Sequence, residues 1–256
     1  MSKPGWGAVL VGEPADLDDW TFQLKEAFDP WVEVHNTETI LRSASLDELT
    51  TAGDVRDRAI VLIERLNGAL ALSEQTKPLR IGGVIQVAPD GRLHRTLFAE
   101  GGVYRILGGR AKLRATLTLT GPGGEPLPPP PPQPSQVQNW AAVAESEELL
   151  DDALIYFGRV AASSAKDPES TDWFDVYKAL ECLILRFGEG GEAAFLKLNW
   201  APEADIARLK RTANWARHAR RRYEPPPNPM DFSAARSLLG DLLRRAFSEA
   251  APSERG

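Results

Sequence analysis

Residues 121–135 read GPGGEPLPPPPPQPS, and seven of the nine positions from Pro126 to Pro134 are proline. Proline fixes φ and has no backbone N–H to donate. Such a run builds neither helix nor sheet core and favours extended polyproline II, so it predicts a semi-rigid linker over 121–139. A narrower reading of the same prolines is a docking ligand for an SH3-like or WW-like domain. The stretch matters most as a divider, because the hydrophobic pattern differs on its two sides.

Towards the C-terminus the apolar residues recur at helical spacing. Ser146 is placed to cap a helix carrying Leu149, Leu150, Ala153, Leu154, Phe157 and Val160. Thr171-Asp172 opens the most regular pattern, with Trp173, Val176, Tyr177, Leu180, Leu183, Ile184 and Phe187 in phase and Gly188 at its end. A short apolar piece follows at Ala193–Leu198, then a basic helix after Pro202. A last helix turns Ala235, Leu238, Leu239, Leu242, Leu243, Ala246 and Phe247 inward. Residues 140–256 therefore predict an all-α helical bundle domain.

Towards the N-terminus the period shortens. Gly7–Val11 is a short apolar run that predicts a strand, and Asp16 is a candidate cap for a helix over Leu17, Trp20, Leu24 and Phe28. Trp31–His35 alternates and predicts a hairpin with 39–42 around Asn36. Val55, Ala59, Leu62, Ile63, Leu66 and Leu70 predict a long amphipathic helix that stops at Lys77-Pro78. A strand meander follows: 79–87, the turn Pro89-Asp90-Gly91, 92–98, 103–107 and 111–120. The glycine pairs 101–102 and 108–109 match neither GxGxxG nor GxxxxGK[ST] and read as hairpin turns. Residues 1–120 thus predict an antiparallel sheet with two helices, and the whole chain an α+β protein.

Composition narrows the function classes. The 256 residues carry a formal net charge of −6, which argues against a whole-surface nucleic-acid binder and leaves room for a local basic patch. One cysteine, Cys182, forms no internal disulfide, and the N-terminus lacks a signal-peptide pattern, so a cytoplasmic protein is expected. No apolar run reaches the ~20 residues of a membrane helix, and no membrane partner is expected. Three histidines and one cysteine, widely separated, predict no metal site, and no GxSxG or cofactor motif occurs.

The functional signal concentrates in Ala204–Tyr223, ADIARLKRTANWARHARRRY. At about 100° per residue, Ile206, Leu209, Ala213 and Ala216 share one face, while Arg211, Trp215 and His218 lie nearly opposite. Arg211 and His218 are seven residues apart, about 10.5 Å along a continuous helix. Guanidinium groups hold phosphates and an indole stacks a base, so Lys210, Trp215, Arg217 and Arg221 are candidate nucleic-acid contacts. Solvated helix charges account for the same residues more simply.

Arg211, six residues, then His218 resembles the catalytic signature of HEPN-domain proteins, an arginine and a histidine with four to six residues between them on an all-α bundle. The resemblance covers about 140–247. It implies metal-free RNA cleavage at a dimer interface. Arg211 would sit on the phosphate, His218 would manage the 2′-hydroxyl proton and Asn214 would position either. Thr212 stands where many of those proteins have a polar residue such as asparagine, with Asn214 two positions later. Two readings follow. One is a helical domain that binds RNA, as a HEPN-like ribonuclease in its stronger form. The other is a non-catalytic interaction module that forms a homodimer or binds a protein partner through the Trp215 face.

Overall fold

A computed structural model describes residues 4–35, 37–74, 76–90, 92–98, 131–163, 168–218 and 224–251. The expected strands at 103–107 and 111–120, and most of the proline run, lie outside the described residues.

Five antiparallel strands form the N-terminal sheet: β1 (Gly5–Val11), β2 (Trp31–His35), β3 (Glu38–Arg42), β4 (Arg80–Val87) and β5 (Leu93–Thr96), in the order β2-β3-β1-β4-β5. Strands β2 and β3 pair as the alternation predicts, with Val32 opposite Leu41 and Val34 opposite Thr39. Alternation along β1 turns Trp6, Ala8 and Leu10 into the main core, where Leu41 and Val84 flank Ala8. The opposite face carries a smaller apolar cluster of Ile40, Ile85 and Val87 with Val9 packed on it. On that face Arg95 of β5 pairs with Glu38 of β3 although β1 and β4 lie between them. Such a reach needs the strong coiling that twisted sheets develop.

Helix α1 (Pro14–Gln23) begins one turn earlier than its acids suggest. Asp16 does not cap it. Glu13 is the N-cap, Pro14 occupies the first turn, and Asp16 is buried and accepts the Lys77 N–H at 3.0 Å. Asp19, equally buried, accepts the Thr76 hydroxyl at 3.1 Å. Both acids tie α1 to the segment that leaves the long helix. A one-turn helix, α2 (Ala44–Asp47), is capped by the Ser43 hydroxyl.

That long helix, α3 (Ala52–Glu74), carries the whole apolar stripe read from the sequence, and all six stripe residues are buried. It is also buried where no stripe was expected, at Arg65, Gly68, Ala69, Ala71 and Leu72. The cause is a second layer. Helix α5 (Glu148–Ala162) lies against α3 on the side away from the sheet, and Gly68 and Gly158 are the point of closest approach. A Cβ on Gly68 would fall 2.2 Å from the Leu154 carbonyl oxygen, and one on Gly158 2.9 Å from the Gly68 nitrogen. Beside this seam Arg65 makes a two-pronged pair with Asp151 at 2.7 and 2.9 Å. Burial opposes the Arg65 charge, but the hydrogen bonds and charges of Asp151 and Glu145 outweigh it and raise its pKa.

Helix α4 (Gln136–Ser146) starts inside the stretch expected to be linker. A capping box opens it, Ser135 and Gln138 each accepting the other's backbone N–H at 3.1 Å. Gln138 also donates to the carbonyls of Lys25, Phe28 and Pro30. Ser146 ends α4 instead of capping α5, whose N-cap is Glu147. Then come α6 (Ser170–Phe187), closed by Gly188, α7 (Glu192–Leu196), α8 (Glu203–Arg217) and α9 (Phe232–Ala250). The buried apolar side chains of the sheet, α3 and these helices form one contiguous cluster, from Trp6 and Leu10 to Trp140, Leu154 and Leu243. Among the described residues no helix is long and apolar enough to cross a membrane.

Candidate functional site

Helix α8 follows Pro202, and Glu203 and Asp205 occupy its first turn, where the helix dipole favours acids. Ile206, Leu209 and Ala213 are buried as the wheel predicts, and the face packs on α6. Thr212 is buried beside them. Its hydroxyl accepts the Met230 N–H at 2.9 Å, with both atoms out of solvent. Arg208 reinforces the same join. Its guanidinium donates to the Asn228 carbonyl at 3.0 Å, to Asn228 Oδ1 at 3.1 Å and to the Pro229 carbonyl at 2.9 Å. These bonds hold the return that leads into α9, where Phe232 meets the edge of Trp173 at 5.2 Å.

The helix is shorter than its composition suggests. It ends at Arg217, and His218 is its C-cap, with φ −95° and ψ 160°. His218 is therefore the last residue whose α-carbon follows the helical path. Arg221 lies outside the described residues. Arg211 is exposed, and its Nε donates to the Ala207 carbonyl of its own helix at 3.3 Å. Asn214, Trp215, Arg217 and His218 are half-buried. The Trp215 indole nitrogen is screened from solvent, so the ring does not stand out from the surface as the wheel implied.

The neighbouring cations are mostly spoken for. The Arg217 guanidinium carbon sits over the Tyr177 ring, 3.6 Å from its centroid, a close cation–π contact. Lys210 pairs with Glu192 of α7. Lys178 pairs with Glu181 at 2.7 Å, which raises the lysine's pKa. Tyr177 read as a core residue in the sequence, and nothing in the spacing marked Glu192 or Asn228 as partners of α8. Those contacts bring together residues far apart in the chain.

The acids of α6 do not form one cluster. Asp175 is separate from the Lys178–Glu181 pair, and burial pushes its carboxyl up to about 6, against the pull of Arg159 and with help from Asp172. Burial likewise raises the Cys182 thiol to about 11, with the negative charges of Asp152 and Glu181 adding to it. A thiol so protonated is a poor nucleophile. Among the described residues no group of histidine, cysteine and carboxylate side chains is placed to hold a metal ion.

Between α6 and α8 lies an open groove of about 170 Å³. Tyr177, Leu180, Ile184 and Leu185 make its apolar wall, and Glu181 and Lys210 stand on its rim. Leu185 is 64% exposed, a large aliphatic side chain presented to solvent. Phe174, one turn before Lys178 on the same helix, is 42% exposed. No family model matches the chain, and neither the curated proteins nor the solved structures contain a significant match to it.

Proposed function

We propose that this is a non-catalytic interaction protein that self-associates through the α6–α8 face, a second copy of the chain being the partner. The carrying observation is the groove itself: an apolar wall with Leu185 exposed, rimmed by one acid and one base. In a two-fold arrangement the exposed Leu185 of each copy would meet the apolar wall of the other, which makes the face self-complementary. The nearby cations support this reading over phosphate binding, because Lys178, Lys210 and Arg217 are already engaged within the chain. Sedimentation velocity tests it. The wild type should form a dimer that Leu185→Glu abolishes, and Leu185 is exposed enough for the variant to fold normally. A wild type that stays monomeric at high micromolar concentration refutes the proposal.

A second reading keeps the nucleic-acid role, and Arg211 favours it. This guanidinium is exposed, and its recorded hydrogen bond stays within its own helix. In that reading Arg211 holds a phosphate, Trp215 stacks a base, Asn214 orients the chain and His218 takes the 2′-hydroxyl proton. Incubation with total RNA beside His218→Ala and Arg211→Ala variants decides it. Cleavage by the wild type and by neither variant supports a ribonuclease, whereas equal cleavage by all three, or by none, removes it.

A further inference from the structure

The end of α3, the Thr76–Lys77 segment, Phe157 and Ala161 of α5, and α9 line an open cleft of about 220 Å³. We infer that this cleft binds a small phosphate-bearing anion, with Arg236 as its principal ligand. The α9 residues that line it, Ser233, Arg236, Ser237, Gly240 and Arg244, recur every three or four positions and so form one continuous helical face. Gly240 opens the floor: a Cβ there would come within 3.4 Å of Phe157 Cζ and 3.6 Å of Arg244 Nη1.

The donors divide into those already used and those available. Thr76 gives its hydroxyl proton to Asp19, and Lys77 is paired with Glu13. Arg244 is held by the Leu72 carbonyl and by Asp241, each at 2.9 Å, which orients its guanidinium at the cleft wall. Arg236 is half-buried in that wall and is paired with no described residue. Ser233 and Ser237 make no side-chain hydrogen bond to a described residue, so their hydroxyls are also available. A half-buried guanidinium loses hydration without recovering it from a carboxylate, and the groups beside it are donors. The ligand that satisfies this set is rich in acceptor oxygens and carries more than one negative charge. Ser233 lies in the first turn of α9, a 19-residue helix whose Asp231 N-cap makes no side-chain capping bond. The positive end of its dipole adds to the field that Arg236 supplies. The volume suits one or two phosphoryl groups and not a polymer.

Isothermal titration of the full chain with inorganic pyrophosphate, and separately with orthophosphate, at physiological salt tests the site. Saturable one-to-one binding of pyrophosphate is expected. Arg236→Gln should weaken it by about tenfold or more, the usual effect of removing a charged hydrogen-bond partner. Gly240→Ala should keep the fold, since its Cβ meets only ordinary contacts, yet weaken binding by narrowing the floor. Arg92→Gln, at an exposed arginine beside β5 and far along the chain from α9, should leave binding unchanged. No saturable binding of either anion overturns the inference. So does equal affinity in wild type and Arg236→Gln, or an equal loss in Arg92→Gln. The oligomeric state plays no part in any of these outcomes, so failure here is distinct from failure of the dimer proposal.

Discussion

Replacing Gly68 by alanine should destabilise the protein although alanine is the better helix former. The new Cβ would sit 2.2 Å from the Leu154 carbonyl oxygen and 2.8 Å from its carbonyl carbon. Ordinary contact needs roughly 3.5 Å, so α3 and α5 must part by about 1 Å. The clashing atoms are backbone, and no rotamer change relieves them. Over-packing of this kind costs about 1–3 kcal/mol. The seam also aligns the Arg65–Asp151 pair, which places the expected cost near the upper end. Removing glycine from a helix interior returns up to about 1 kcal/mol. The balance is a loss of ~2 kcal/mol. Gly53→Ala is the matched control. It lies in the first turn of the same helix, and its Cβ would meet only Thr51 Oγ1 at 3.8 Å. It should be neutral or stabilising by a few tenths of a kcal/mol. Equilibrium urea denaturation reads both variants. A Gly68→Ala midpoint at or above the wild-type value would refute the tight-seam reasoning, because the helices would then have room that the geometry denies.

Three further outcomes follow from single contacts. Asp175 has its carboxyl raised by burial to about 6, from an ordinary value near 3.8. The folded state then binds a proton that the unfolded state has lost between those values, so Asp175 lowers stability as pH rises through about 6. The rise itself caps the effect at ~3 kcal/mol, and solvent screening of a half-buried group reduces it to about 1 kcal/mol. Asp175→Asn should therefore be more stable than wild type at pH 7.5, with the gain gone near pH 4, as read by denaturation at the two pH values. Thr212→Val should cost about 1–2 kcal/mol in thermal or urea unfolding, because the buried Met230 N–H loses its acceptor. Asp151→Ala should cost about 3 kcal/mol by leaving the Arg65 guanidinium buried with only Glu145 at 3.5 Å. Loss of less than 1 kcal/mol would show that Arg65 finds solvent.

Most element identities were readable along the chain. The 3.6-residue period over Val55–Leu70 and Trp173–Phe187, and the alternation over Trp31–His35, are local properties, and each became the expected element. Helix α4 was readable too, from Ser135 and Gln138 as a capping box, but the prolines before it drew the boundary to a later position. The burial of Gly68 and Arg65 had no local signal. It arises because α5 covers the back of α3, and a helix's own pattern reports one buried face more clearly than two.

The candidate site divides the same way. Sequence by itself determined that α8 is basic and that Ile206, Leu209 and Ala213 face inward. Those are consequences of helical geometry and residue type, which need no partner to define them. Only the tertiary structure decided which charges remain available. Glu192 takes Lys210, the Tyr177 ring takes Arg217, and the Asn228–Pro229 return takes Arg208. An exposed arginine and a structural one have the same letter in the sequence. Their difference lies in whether a carboxylate, carbonyl or ring distant in the chain is folded to within contact, and a helical wheel contains no such information.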